Sequence, residues 1–433
     1  METYRRYLLP LLLLLVVMFG TLPVGAAISV QCQGDLDGDA IPDPVYTAET
    51  IPDPNPDGIL VGDPNPDFDP NVKCMHLSSG DGYITMGDGR PMYMFGFSDV
   101  TGIPEDNVFI DGQLSHEFPA PPIALREGDV FWLTLSNVGM VDRPDLFDPH
   151  TVHYHGFPQS SNIYDGLPES GLSIKMGASL TYYYLNNDPG TYMYHCHVEA
   201  TEHMQMGMLG SLYVDPIQNQ TGFGGDPNTI AGKEGGPGPT GYVYNDGDGS
   251  TAYDVEFALQ LGGFDSAFHD ASVNTQPLPF ALMKADYPMI NGRGYPDTVA
   301  PVGPPAPPEA RPLDGFSTQK VNALIEASSG DRVLLRLSNL EVTRYFTLAS
   351  PGIPMRVVGK DAKLLRGPDG IDLSYTTHSL TFGGGMSYDV ILDTTGMSGT
   401  HFLYATDLNF LVNGETDDGI GGMLTEIRIA PAP

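Results

Sequence analysis

Hydrophobic positions along this chain fall in short runs bounded by turn residues, not in stripes of helical period. Phe131-Trp132-Leu133-Thr134-Leu135 and Leu180-Thr181-Tyr182-Tyr183-Tyr184 are the clearest of these runs. They are rich in aromatic and other β-favouring residues, with Gly, Asp, Asn or Ser at either end. The sequence between such runs draws on 52 Gly and 39 Pro, which predicts many short strands joined by turns. The strand-like pattern occupies residues 81–216 and resumes over 251–433, with a Gly/Pro/Asp-rich linker at 217–250. A Pro-rich loop at 301–312 interrupts the second region.

The second region reads as a copy of the first. Glu127-Gly128-Asp129-Val130-Phe131-Trp132-Leu133-Thr134-Leu135-Ser136-Asn137 recurs as Ser329-Gly330-Asp331-Arg332-Val333-Leu334-Leu335-Arg336-Leu337-Ser338-Asn339. Gly190-Thr191-Tyr192-Met193-Tyr194 answers Gly399-Thr400-His401-Phe402-Leu403, and Gly207-Met208-Leu209 answers Gly422-Met423-Leu424. A repeat of this length predicts an all-β chain of two related sandwiches in tandem.

Ahead of them, Arg5 and Arg6 precede an apolar run from Tyr7 to Gly20, and Val24-Gly25-Ala26 supplies small residues for a cut near Ala26 or Ala27. Residues 1–27 therefore read as a signal peptide, too short in its apolar core to span a bilayer. The mature chain is expected to be exported, periplasmic or extracellular, with no membrane span. Residues 28–80 form an acidic, Pro-rich extension in which DPNPD occurs twice, at 53–57 and 63–67. Within it, Asp35, Asp37, Asp39 and Asp43 alternate around a Gly turn in the manner of a calcium loop, with a solvated acidic linker as the equal alternative. The formal charge of −34 excludes nucleic acid as a partner and favours cations and basic redox proteins. Of three cysteines, Cys32 and Cys74 can pair in an oxidising compartment, which leaves Cys196 as a lone thiol to be explained.

Six of the eleven histidines lie in two stretches, His150-Thr151-Val152-His153-Tyr154-His155-Gly156 and His195-Cys196-His197 through His203 to Met208. On a strand, side chains alternate between faces, so His195 and His197 point one way and Cys196 the other, while His153 and His155 share a face. Two imidazoles, a thiolate and an axial thioether make a blue-copper ligand set, met here by His150, Cys196, His203 and Met208. Zinc, the main competitor, does not ordinarily take an axial Met. Met206 is a second choice for the axial position. Met86, Met92, Met94, Met204 and Met206 are either soft Cu(I) donors near the surface or core fillers, and core packing is the first choice.

These motifs, His150 to Gly156 and His195 to Met208, with Asp165-Gly166-Leu167-Pro168 and Pro189 to Tyr194 around them, resemble the multicopper oxidase family, which includes laccases and is related to copper nitrite reductases. The resemblance spans about residues 85–430 and implies two tandem cupredoxin-like Greek-key sandwiches, plastocyanin-like, the second without copper ligands. It implies type 1 copper at His150, Cys196, His203 and Met208. It implies type 2/type 3 copper at His153, His155, His195 and His197, and a proton-supplying acid at Asp165. The function implied is that of a copper-dependent oxidoreductase, taking electrons from a small molecule, a metal ion or a redox protein and reducing oxygen.

Two departures qualify that expectation. The step from Cys196 to His203 is longer than in most laccases, and the second copy has Tyr404-Ala405-Thr406 where the first has His195-Cys196-His197. With half of the trinuclear ligands absent, three alternatives stay open. The site is completed by another subunit, as in a homotrimer; or it holds a single type 2 copper, as in a nitrite reductase; or the chain is a blue-copper electron-transfer or copper-handling protein without turnover.

Overall fold

The computed structural model describes residues 29–47, 61–158, 160–224, 226–232, 239–301, 318–414 and 419–432. The expected signal peptide, the first DPNPD copy and most of the Pro-rich loop lie outside the described residues.

The first sandwich has a sheet of β1 (Val72–Thr85), β2 (Pro91–Asp99), β4 (Val130–Gly139) and β6 (Ser179–Leu185), in the order β2-β1-β4-β6. Facing it are β3 (Ala120–Arg126), β5 (His153–His155), β7 (Gly190–His195) and β8 (Leu209–Asp215), in the order β3-β8-β7-β5. A hairpin of β9 (Gly241–Tyr242) and β10 (Ala252–Tyr253) precedes the second sandwich.

There, one sheet holds β11 (Val255–Phe264), β12 (Tyr287–Ile290), β14 (Arg332–Asn339), β16 (Met355–Lys360), β17 (Lys363–Leu364), β18 (Tyr375–Thr377) and β20 (Met386–Asp393). The other holds β13 (Ile325–Ser328), β15 (Phe346–Ala349), β19 (Ser379–Phe382), β21 (Gly399–Ala405) and β22 (Leu424–Ala430). The order β12-β11-β14-β20 repeats β2-β1-β4-β6, and β13-β22-β21-β15 repeats β3-β8-β7-β5. Even the parallel pairs recur, β1 with β4 and β11 with β14.

Period-two burial explains each sheet. On β4, Phe131, Leu133 and Leu135 enter the first core, while Trp132 turns to the other face against Tyr183, ring centroids 5.0 Å apart. On β14, Val333, Leu335 and Leu337 enter the second core. Leu334 and Arg336 point the other way, Leu334 into a separate cluster with Tyr244 and Ile391.

Two expected boundaries shift. Strand β1 starts at Val72, inside the segment read as an acidic extension, and Cys32 is disulfide-bonded to Cys74 on that strand. The segment read as a linker carries a short helix, Gln218–Thr221, and β9, and it buries Val243 and Tyr244. Asp35, Asp37 and Asp39 do gather, but Asp35 is occupied by the backbone N–H groups of Asp37, Gly38 and Ala40, and Asp43 accepts from Leu36. Met86, Met92 and Met94 are buried in a cluster with Phe118, Phe264 and Met289 that joins the two halves, so they fill core. Among the described residues no helix is long and apolar enough to cross a membrane.

A buried cation also joins the halves. Arg336 is 1% exposed. It donates to Asp215 of β8 at 2.9 Å and to Glu256 of β11 at 2.8 Å, with the Tyr213 ring 4.7 Å from its guanidinium carbon. Asp389 of β20 accepts from Thr191 of β7 at 2.5 Å and from Tyr244 at 2.6 Å, and burial pushes its carboxyl up from the usual range. Removing one partner of such a group strands the others. Arg336→Met is expected to cost about 3–5 kcal/mol in denaturant unfolding. A loss under 1 kcal/mol would show that these carboxylates do not depend on it.

Candidate metal centres

The two histidine stretches meet because β5 pairs with β7. The register sets His153 opposite His195 and His155 opposite Met193, which places facing residues about 5 Å apart. Cys196 follows directly on β7, with its side chain in the first core among Tyr154, Tyr182 and Met208. His197 turns back to the side of His195, their rings stacked at 5.6 Å.

On the core side, Cys196 Sγ lies 3.2 Å from His203 Nδ1 and 3.9 Å from His150 Nδ1, and none of the three residues is exposed. His150 is held by a bridge to Ile174, with His150 N donating to Ile174 O at 3.0 Å and Ile174 N donating to His150 O at 2.9 Å. His203 sits on the short helix Ala200–Gln205. Met208 is drawn in by its backbone: Cys196 N donates to Met208 O at 3.1 Å, and Met208 N donates to His203 O at 2.8 Å. The carbonyl of Met206 is instead taken by Phe95 N at 2.9 Å, on β2. Gly207, at φ +118°, makes the turn between the two methionines, and a Cβ there would meet the Phe95 carbonyl at 2.7 Å.

These groups fit a soft metal. His150 Nε2 and His203 Nε2 are buried without a hydrogen-bond partner, while both Nδ1 atoms converge on the sulfur. Burial drives the His150 imidazole well below its usual value, so it is neutral and able to donate a lone pair. Burial also lowers His203, but the Cys196 sulfur and the Asp148 carboxylate outweigh it and hold His203 up at about 10. Asp148, 3.8 Å from His203 Nε2, was not flagged by the sequence. A buried cysteine sulfur with two imidazoles is a donor set suited to copper.

On the opposite side, His153, His155 and His195 bring ligand nitrogens within 4.8 Å of one another. His153 Nδ1 donates to the Asp165 carbonyl at 2.6 Å, with the Asp165 carboxylate 3.3 Å from the same nitrogen. His195 Nδ1 donates to the Cys196 carbonyl at 2.8 Å. Both rings are thereby fixed with Nε2 left for a metal, the usual arrangement behind a ligating histidine. His155 Nδ1 is 3.4 Å from His195 Nε2. Burial lowers His153 and His155 and takes His195 down to about 3, so these rings are uncharged.

All four imidazoles line a cavity of about 510 Å³. Its far wall is the second sandwich, through Leu340 to Tyr345 and Gly384 and Gly385. Gly385 has φ +84°, and a Cβ there would lie 2.7 Å from His155 Nε2. Sequence reading missed this wall. The only signal was Glu341, which stands two residues past Asn339, where the first copy has Gly139 past Asn137.

Residues 104–219 match the family model described as multicopper oxidase. The laccase abr2 of Aspergillus fumigatus is 28% identical over 51% of this chain and 34% of its own length. Copper resistance protein A of Escherichia coli is 24% identical over 77% of this chain and 51% of its own. The chain thus spans about half or less of the length of these relatives. A blue copper oxidase from Nitrosomonas europaea shares the fold, with a TM-score of 0.57 and 21% identity over 83% of this chain and 86% of that one.

Gly385→Ala would strain the backbone by about 1–2 kcal/mol and drive a methyl into His155. The expected result is loss of metal from the four-imidazole site with the Cys196 site intact. Unchanged metal content at both sites would refute the role given to Gly385.

Proposed function

Because the chain belongs to the multicopper oxidase family, we propose that it is a copper-dependent oxidoreductase that oxidises a donor and reduces oxygen. Its type 1 ligands are His150, Cys196, His203 and Met208; its type 2/type 3 ligands are His153, His155, His195 and His197. Copper bound at these residues supplies one-electron chemistry. The observation that carries the reading is the convergence of the Cys196 sulfur and two imidazole nitrogens, at 3.2 and 3.9 Å, in a site closed to water.

The chain's own residues do the rest. Cys196 is peptide-bonded to His195 and His197, so the thiolate of one site and two imidazoles of the other share three consecutive residues. Phe95 packs edge-on against His203, centroids 5.8 Å apart, and keeps water from it. Asp165 orients His153 and holds a carboxylate beside it for proton exchange. The Cys32–Cys74 disulfide beside a free, buried Cys196 suits an exported protein in an oxidising compartment. On this reading the remaining ligands of the oxygen site come from another subunit, since all four imidazoles of the cavity belong to the first sandwich.

A second reading, a blue-copper electron carrier or copper-handling protein without turnover, rests on one observation. Among the described residues, no histidine of the second sandwich lines the cavity. Copper counting with electron paramagnetic resonance separates the two. The oxidase reading expects more than one copper per chain, oxygen uptake with a reduced donor, and loss of blue absorption alone in Cys196→Ser. A single copper without oxygen uptake leaves the carrier, and colourless metal-loaded protein rules out both.

A further inference from the structure

The second sandwich sends one element into the first core. The helix Ser266–Val273 follows β11, and its Phe268 is fully buried in the core that holds Cys196, Met206 and Met208. Asp265 caps this helix by accepting from Phe268 N at 3.1 Å. Three side-chain contacts then fasten it to the first sandwich. Arg90 donates to the Asp270 carboxylate at 2.6 Å, and Arg143 donates to the Ser272 carbonyl. His269, 1% exposed, has Nδ1 2.6 Å from the Tyr93 carbonyl of β2 and Nε2 3.0 Å from the Gln205 carbonyl. Its ring rests on Phe264, with centroids 4.3 Å apart.

Two of these contacts grip the segments that carry the sulfur cluster. Arg143 is buried and pairs with Asp145 at 2.8 Å, on the stretch of chain that leads to His150. Gln205 lies two residues past His203 and three before Met208. Its side-chain amide also reaches the Gly263 carbonyl of β11 at 3.4 Å. The second sandwich therefore holds Gln205 by its backbone and by its side chain.

We propose that His269 is a positioning residue for the sulfur cluster, tying the turn between His203 and Met208 to β2 from the second sandwich. It acts through the Gln205 carbonyl and not by contact with a metal. This rests on the type 1 reading above. A carbonyl oxygen only accepts, so each of the two contacts needs a proton on the ring nitrogen that faces it. Burial takes the imidazole down to about 4, against both carbonyls and the carboxylates of Asp265 and Asp270. At neutral pH the ring is thus uncharged, with one N–H to serve two carbonyls. A side chain with two N–H groups can hold both at once.

Hydrogen exchange and copper spectroscopy on the full chain at pH 7 test this. His269→Phe keeps a ring against Phe264 and removes the N–H. In metal-free protein its Met206, Gly207 and Met208 amides, bonded to Glu202 O, Met204 O and His203 O, are expected to exchange about tenfold faster, the worth of one buried hydrogen bond. His269→Gln, whose amide carries two N–H groups, is expected to exchange no faster than wild type. With copper, His269→Phe is expected to keep its copper content but shift the blue absorption maximum and the copper hyperfine splitting, and His269→Gln to return both toward wild type. A merely structural residue would lower the melting temperature and leave the spectrum alone. Unchanged exchange or an unchanged spectrum in His269→Phe overturns the proposal, as does a His269→Gln that behaves like His269→Phe. Where His269→Phe does not fold, His269→Asn, too short to reach both carbonyls, takes its place. Wild type that stays colourless with copper overturns the type 1 reading instead, and the exchange result still decides whether His269 holds the turn.

Discussion

Everything in this molecule depends on the alternation of side chains about Cys196. Three consecutive residues leave the end of β7 with the sulfur directed into the first core and the imidazoles of His195 and His197 directed to the cavity side. A slip of one residue in the β5–β7 register would exchange the faces and destroy both clusters at once. The pairing is therefore held from both sides. Tyr194 on β7 is packed in the core and donates to the Pro121 carbonyl at 2.6 Å, and Tyr154 on β5 stacks on Tyr184 of the opposite sheet with centroids 4.1 Å apart. A dense tyrosine core thus makes the geometry of both side-chain clusters a consequence of ordinary packing.

The second sandwich bears on the same register from outside. Arg336 and Asp389 tie it to β8 and β7, and Ser387 Oγ donates to the Thr191 carbonyl on β7 at 2.7 Å. Those anchors bring Gly385 and the loop from Leu340 to Tyr345 against the imidazoles. The helix Ser266–Val273 reaches the other side, where His269 Nδ1 lies 2.6 Å from the Tyr93 carbonyl and Nε2 lies 3.0 Å from the Gln205 carbonyl. The loop between His203 and Met208 is thus braced by a half that contributes no residue to the sulfur cluster. Preorganisation of that kind suits the soft-metal site proposed for the sulfur cluster, whose members sit on a short helix and a turn.

How much of this was legible in the sequence follows from distance along the chain. His150 to His155 and His195 to Met208 are compact motifs on strands of fixed period, so ligand chemistry and alternation sufficed to group them. The tandem repeat likewise showed in the paired Gly-Asp and Leu-Ser-Asn segments, and the two sheet orders repeat each other in kind. Gly385 was invisible because it meets His155 only through the packing of one sandwich on the other, which no local pattern encodes. The start of β1 was obscured for another reason. Averaging composition over an acidic, Pro-rich segment hid the run from Val72 onward, whose neighbours β2 and β4 supply its partners. The methionines were ambiguous for a third reason, since a thioether serves a core or a metal equally well and only burial between the halves decides.

The repeat also explains why one half carries donors and the other does not. Ala405 N donates to Met423 O at 2.9 Å, just as Cys196 N donates to Met208 O, so the backbone frame of the sulfur site exists twice. In the second frame a methyl occupies the place of the thiol, and Ala405 and Met423 are fully buried in an ordinary apolar core. Nothing in the fold has to change for that exchange, because the frame is held by β21–β22 pairing and not by a metal. Freed from holding ligands, the loops around the second frame can face the neighbouring sandwich instead. The absence of one donor set and the shaped wall over the other are thus two aspects of the same duplication.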